Sequence, residues 1–225
     1  MEQAIKVNYK STSNPYFALQ WLRDLPDLFA ADFEVALKYT PEELQSYKEE
    51  LENEPTKQRS NELKSILSAT ALDHPFHTCL THFSCAWSDS DAFVLILDND
   101  RIKTVLLNFL VNTDKTQIWH NASFDFKHLQ YYTGKFPKNY EDSQIRAKCI
   151  LNHVETYKAR TGLKELAGKW YGNWGISSDN FTLDQMYEDH VLHYAAIDAC
   201  ATYKLYHSIG RHVNETNTNR QHSTK

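Results

Sequence analysis

The chain has 225 residues, 41% hydrophobic and 13% aromatic, enough to bury one α/β core with an elaboration and short for two full domains. Its formal charge of −5 excludes a protein that coats duplex nucleic acid, because neutralising phosphates along a duplex needs an excess of Lys and Arg. The four cysteines (Cys79, Cys85, Cys149, Cys200) form no CxxC pair and are expected in the core, in a reducing compartment. The N-terminal stretch lacks the apolar segment of a signal peptide, and no apolar run approaches the ~20 residues of a membrane span. A soluble, intracellular (cytoplasmic) protein with no membrane partner is expected.

Leu28 to Val35 is a β-branched and aromatic run after the turn signal Pro26-Asp27, and is expected as the first strand. Cys79 to Trp87 and Ala92 to Asp98 follow as strands joined by the polar turn Ser88–Asp91, a meander. Ile102, Val105, Leu106, Phe109 and Leu110 make one apolar stripe of a helix that Asp98 or Asn99 can cap. Gln117 to His120 reads as a short buried strand. Ser123 can then cap a helix running to about Tyr132, with Gly134 as its stop. A short helix is expected over Gln144 to Asn152, and another is marked by Leu163, Leu166, Ala167 and Trp170. Thr182 with Gln185 reads as a capping box opening the last long helix, to roughly His207. The chain is therefore expected as one domain over residues 1–213, with a polar, disordered tail over 214–225.

Residues 41–72 break this alternation. Thr40, Pro41 and Glu43 signal a helix start, Leu44, Tyr47 and Leu51 recur on one face, Pro55 interrupts, and Leu63, Ile66 and Leu67 mark a second helix. A helical hairpin inserted between strands one and two is expected, with six glutamates against one lysine from Glu42 to Glu54. It reads as a solvated cover or as a docking surface for a protein partner.

Three short stretches carry acids. On the first strand Asp32 and Glu34 point the same way, because side chains alternate faces. Asn121 and Asp125 sit at a strand end and in the first turn of the next helix, where α/β sheets place chemistry. Tyr194 precedes Asp198 by four residues, about 40° beyond one full helical turn, and so shares its face. Phosphodiester hydrolysis with two divalent cations ~3.5–4 Å apart needs a handful of carboxylates converging from separate elements, which these stretches can supply. A phenol at Tyr194 could aim the attacking water.

At these residues the chain resembles the DEDD (DnaQ-like) superfamily of 3′–5′ exonucleases, tyrosine subgroup, and within it the proofreading domain of family A DNA polymerases. Asp32 and Glu34 match its first motif, Asn121 and Asp125 the second, Tyr194 and Asp198 the third; Asp142-Ser143 and Gly162 to Ala167 are softer echoes. The resemblance covers about Leu28 to Tyr206 outside the insertion. It implies a ribonuclease H-like fold, a mixed five-stranded sheet flanked by helices, binding two Mg²⁺ or Mn²⁺ ions. It further implies that Asp32, Glu34 and Asp198 ligate one ion, that Asp32 bridges to a second held by Asp125, and that Asn121, Phe124 and Leu37 meet the substrate, Leu37 as a wedge beside the terminal base.

His193 lies five residues before Asp198, so the chain also satisfies the histidine subgroup, with His193 as an alternative general base. Tyr194 is preferred because His193 falls well off the face shared by Tyr194 and Asp198. Phe33 and Val35 flank Glu34 where the family often has small hydroxyl residues. A zinc site from His74, His77, Cys79 and His82 is disfavoured, since Cys79 and His82 fall on opposite strand faces. The expected activity is hydrolysis of single-stranded or mismatched DNA 3′ ends to nucleoside monophosphates. With no polymerase domain in the chain, a proofreader would meet a DNA polymerase or other replication protein in trans. The rivals are ribonuclease D-like trimming of RNA ends and a catalytically silent nucleic-acid- or polymerase-binding module.

Overall fold

The structure, a computed structural model, describes residues 5–53, 55–68, 71–151, 161–172, 174 and 182–222, with the backbone alone for 151 and 210–222. Its elements are β1 (Asn8–Thr12), α1 (Pro15–Arg23), β2 (Leu28–Leu37), α2 (Pro41–Glu52), α3 (Lys57–Ile66), β3 (Thr78–Ala86), β4 (Asp91–Ile96), α4 (Asp100–Asn112), β5 (Thr116–Trp119), α5 (Ala122–Thr133), β6 (Tyr140–Asp142), α6 (Ser143–Leu151), α7 (Leu163–Tyr171) and α8 (Asp189–His222). Short 3-10 turns cover Ala71–Asp73 and Leu183–Gln185.

The strands form one sheet in the order β1-β4-β3-β2-β5-β6. β2, β3 and β4 are the antiparallel meander; β1 is parallel to β4, β5 to β2, and β6 to β5. The expected mixed five-stranded sheet is β4-β3-β2-β5-β6, and β1 adds a sixth strand at the edge. The sequence NYKST gives no hydrophobic alternation because an edge strand pairs through its backbone while its side chains stay largely in water. α1 is also absent from the sequence reading, although Asn14 Oδ1 accepts from the Tyr16 amide at 2.9 Å and Pro15 is the first helical residue.

The two faces of the sheet are unlike. One carries large side chains, Phe29, Phe33, Phe83, Phe93 and Trp119, packed with Leu22 of α1, Ile102 and Leu106 of α4, and Leu129 of α5. The other carries Ala30, Ala86, Ala92 and Val94 beneath Ala195, Ala196, Ala199 and Cys200 of α8. Small residues on both sides let α8 lie close across β2, β3 and β4. Full burial of each large ring on the first face contributes about 2–3 kcal/mol, so the sheet is anchored there and the α8 face is free to carry polar groups.

The hairpin of α2 and α3 lies between β2 and β3 as expected. Thr40 Oγ1 accepts from the Glu43 amide at 3.2 Å and Glu43 Oε2 from the Thr40 amide at 2.7 Å, a complete capping box. α3 fully buries Leu63 and Ile66, whereas Leu44, Tyr47 and Leu51 are only half-buried. His77 clips the hairpin to the sheet, its Nδ1 3.1 Å from Tyr39 Oη and its Nε2 2.9 Å from Ser65 Oγ.

Other expectations need correction. Asn121, not Ser123, is the N-cap of α5; Ser123 Oγ instead donates to Asn121 Oδ1 at 2.9 Å. The Thr182–Gln185 box closes a single 3-10 turn, the Thr182 amide donating to Gln185 Oε1 at 3.2 Å, and the long helix starts later at Asp189. The tail expected to lack structure from Asn214 continues α8 to His222, since extending an existing helix needs no new nucleus. Residues 223–225, like Asn152 at the expected end of α6, lie outside the described residues. Cys85 and Cys200 are buried, but Cys79 is half-buried and Cys149 is on the exposed side of α6. Among the described residues, no helix is long and apolar enough to cross a membrane.

Candidate active site

β2 sets the site through its pleat. Phe29, Ala31, Phe33 and Val35 go to the aromatic face, so Asp32 and Glu34 are left on the face under α8. α8 meets them there with Asp198, and one oxygen each of Asp32, Glu34 and Asp198 lie within 4.8 Å of one another. Asp125, 2% exposed in the first turn of α5, accepts from the Phe33 amide at 3.1 Å and so is tied to the strand residue between the two acids. It lines the same cavity of about 300 Å³ without joining the three-acid group. Tyr194, 2% exposed, completes the set one turn before Asp198.

The α5 entrance is held by a residue on another strand. Asn121 takes the left-handed conformation, φ 63° and ψ 50°, which asparagine tolerates better than most side chains. Asp142 at the end of β6 accepts from the amides of Asn121 (3.2 Å) and Ala122 (2.9 Å), and from Gln144 (2.8 Å) and Ile145 (3.1 Å) in the first turn of α6. One carboxylate thus supplies the N-terminal acceptors that both α5 and α6 need.

Packing four acids into a buried site raises their proton affinity. Burial comes first for Asp32, followed by the charges of Glu34, Asp125 and Asp198; for Glu34, burial is followed by Asp198. Burial pushes Asp125 up to about 8 against the Phe33 amide, and Asp198 up to about 6. Three groups pull Asp198 back: the Lys164 ammonium, the Trp174 indole, whose Nε1 donates to Asp198 Oδ1, and the Tyr194 hydroxyl. Lys164, on the first turn of α7, donates to Tyr194 Oη and sits 4.4 Å from the centre of that ring. It favours the ionised form of Asp32, Glu34 and Asp198 alike.

The residues fit a hard divalent cation. Glu34 Oε1 is buried without a hydrogen-bond partner, a costly arrangement unless another ligand satisfies it, and the donor set is all carboxylate oxygen, which suits Mg²⁺ or Mn²⁺. Among the described residues the three acids are the one group of metal-ligating side chains close enough to share an ion, so the histidines and Cys79 considered for zinc are not brought together. His82 instead donates from Nε2 to the Met186 carbonyl at 2.8 Å.

Asn121 and Phe124 line the cavity with the acids. Leu37 does not; Val35 with Leu72 supplies the apolar edge. His193 is exposed, its ring 5.9 Å from that of Tyr9 on β1, and it is not among the residues that line the cavity with Tyr194. Residues the sequence reading did not single out include Lys164, Trp174, Leu72 and His120. His120 donates from Nε2 to the Thr161 carbonyl at 3.0 Å, with Nδ1 2.9 Å from Ser143 Oγ, and burial pushes its pKa down to about 4.

The profile of a family described as 3′–5′ exonuclease matches residues 40–214, a span that contains Asn121, Asp125, Tyr194 and Asp198. Asp32 and Glu34 precede the matched span, and the sheet brings them to the same cavity. No curated protein matches by sequence. Among solved structures, Brucella melitensis NrnC superposes with a TM-score of 0.55 at 17% identity, over 97% of this chain and 86% of its own. Escherichia coli RNase D, an exoribonuclease involved in structured RNA processing, gives 0.58 at 13% identity, over 94% of this chain and 46% of its own. Trypanosoma brucei RNase D gives 0.56 at 15% identity, over 88% of this chain and 62% of its own. At such identities these structures speak for the shared ribonuclease H-like fold, and an NrnC structure carries bound Mg²⁺. With its profile match spanning most of the chain and its fold shared with these nucleases, the protein belongs to the 3′–5′ exonuclease family of the DEDD superfamily, which works with divalent metals.

Proposed function

We propose that the protein hydrolyses the 3′ end of single-stranded or mismatched DNA to nucleoside monophosphates, using two Mg²⁺ or Mn²⁺ ions, and serves a separate DNA polymerase as its editing subunit. The observation that carries this reading is the convergence of Asp32, Glu34, Asp125, Asp198 and Tyr194 on one cavity of about 300 Å³, small enough for a terminal nucleotide and too small for a duplex. Asp32, Glu34 and Asp198 would hold one cation, and Asp125 with Asp32 the other. Bound cations supply charge stabilisation at the scissile phosphate and lower the pKa of the attacking water. Tyr194 Oη, held between Lys164 and Asp198, orients that water rather than taking its proton. Val35, Leu72 and Phe124 would exclude solvent beside the base.

A second reading, trimming of RNA 3′ ends, is favoured by the ribonuclease D structures among the fold relatives. The intact acid set counts against a silent binding module. The α2–α3 hairpin, with its acidic outer face, is the proposed docking element for the polymerase, because like charge keeps it out of a nucleic-acid path. The deciding assay uses end-labelled single-stranded DNA and RNA of equal sequence with Mg²⁺, Mn²⁺ or chelator. DNA shortened from its 3′ end faster than RNA supports the first reading, with mismatched primer ends preferred over paired ones because unpairing is already done. Faster RNA cleavage moves the chain to the second, and no metal-dependent cleavage of either removes both.

A further inference from the structure

Two of the more exposed aromatic rings of the molecule are packed against each other in water. Phe76, 69% exposed, and Tyr131, 44% exposed, have ring centres 5.0 Å apart at 74°, and Tyr132 lies 5.0 Å from Tyr131. Lys38 Nζ stands 5.8 Å from the Tyr131 ring, fixed by the carbonyls of Pro75 (3.1 Å) and Phe76 (3.0 Å). These contacts hold Lys38 in place and leave its charge uncompensated by any carboxylate described at hydrogen-bond distance. Lys38 and Lys103 both lie near enough to Cys79, and Lys38 and Lys127 to His128, to affect their protonation. Asp73 also acts on His128, so in a chain of net charge −5 the region brings three lysines together with one carboxylate.

Both segments that carry the rings lead out of the active-site cavity. On α5, Phe124, His128 and Tyr131 follow at i, i+4 and i+7 on one face; Phe124 lines the cavity and its ring is 5.2 Å from that of His128. On the other side Leu72 and Asp73 line the cavity, and Phe76 follows three residues later. His128 is itself buried and Asp73 is acidic, so Phe76 and Tyr131 are the exposed rings that these two cavity-lining segments carry. Exposed aromatic rings beside a fixed ammonium are what sequence-tolerant binding of single strands uses.

We propose that Phe76, Tyr131 and Lys38 form a stacking platform for the upstream nucleotides of a single-stranded substrate whose 3′ end occupies the acid cavity. The rings receive bases and Lys38 meets a phosphate. This deepens the exonuclease reading and rests on it. Seven residues of helix separate Tyr131 from Phe124 by about 10 Å along the axis, and a strand stacked at about 3.4 Å per nucleotide reaches that far at roughly its third or fourth nucleotide. The platform therefore discriminates by length: a dinucleotide cannot touch it, and an octanucleotide can.

The test compares full-length wild type, F76A/Y131A and Lys38→Gln on a dinucleotide and on an octathymidylate with Mg²⁺. The expected result is an octamer KM raised roughly five- to a hundredfold in F76A/Y131A, several-fold in Lys38→Gln, with dinucleotide kcat/KM unchanged. Phe76→Trp, which keeps a stacking face, should retain the octamer KM, while Phe76→Leu should not. Unchanged octamer kinetics, or equal losses on both lengths, would overturn the platform. If wild type cleaves neither substrate the exonuclease reading fails by itself, and fluorescence anisotropy with labelled octathymidylate still decides the platform: equal affinity of wild type and F76A/Y131A refutes it.

Discussion

Glu34→Gln separates what the acid cluster does for chemistry from what it does to stability. The substitution keeps the shape of a buried side chain while removing one charge from a group whose oxygens lie within 4.8 Å of each other. At that distance, with an effective dielectric constant of about 20, one ionised pair repels by about 3 kcal/mol, and protonation caps the penalty near the same value. In chelator the Gln variant should therefore be more stable than wild type by about 2–3 kcal/mol, a gain of roughly 5–10 °C in Tm for a chain of this length. Raised carboxyl pKa values also fix the pH direction of the cluster's own contribution in the metal-free wild type: it is most favourable below about pH 4, where the unfolded acids are protonated as well, and is lost as pH rises through 6 and 8, the values of Asp198 and Asp125. The variant should show a shallower loss. Mg²⁺ should reverse the ranking, since saturation at a hundredfold over Kd stabilises wild type by about 2.7 kcal/mol and the variant lacks a ligand. Scanning calorimetry across pH 4–9, with chelator and with Mg²⁺, measures all of this. A variant less stable than wild type in chelator, or an equal Mg²⁺ shift in both, would refute the reasoning.

Asp32→Ala should lower turnover about a thousandfold or more, over ~4 kcal/mol of transition-state stabilisation, with far-UV circular dichroism little changed; more than a tenth of wild-type activity would remove Asp32 from the site. Tyr194→Phe should reduce kcat on the order of 10 to 1,000-fold while His193→Ala leaves it nearly intact, and the opposite ranking in the same assay would assign the chain to the histidine subgroup. His120 is held neutral, its pKa depressed to about 4, so its contribution is complete above about pH 6.5 and falls by up to about 3 kcal/mol as pH drops towards 4; His120→Gln should lose that part of the acid limb in urea melts. Replacing residues 41–67 with a Gly/Ser linker, which keeps the cavity-lining Leu72, should leave cleavage of short oligonucleotides within a few-fold of wild type while abolishing polymerase co-purification, whereas loss of folding would show that Leu63 and Ile66 complete the core.

The acids could be read from sequence because their placement follows from local periodicity. Asp32 and Glu34 lie two residues apart on an apolar strand, and Tyr194 and Asp198 four apart on a helix, so each pair had to share a face whatever surrounded it. Leu37 came from the resemblance alone, and it does not line the cavity that Asp32, Glu34 and Val35 share. β1 escaped because edge pairing is a backbone matter, whereas the Asn14-Pro15 start of α1 was a usable signal. Lys164 had no local signal for its role. Its ammonium reaches Tyr194 because α7 packs on α8, a long-range arrangement that spacing within α7 does not encode. Asp142 is intermediate: an acid before a helix suggests a cap for that helix, but nothing nearby says that it also caps another across the sheet.

α8 lies across β2 and β3 and delivers Asp198 to acids from the first third of the chain. During synthesis, a ribosome would have released the sheet, the hairpin and α5 before the last acid emerged. A nascent chain, or a fragment cut anywhere ahead of α8, would carry Asp32, Glu34 and Asp125 without the carboxylate and phenol that complete them. Hydrolytic competence would thus arrive with the last helix and in a single step, which protects the nucleic acids around the ribosome from a half-built nuclease.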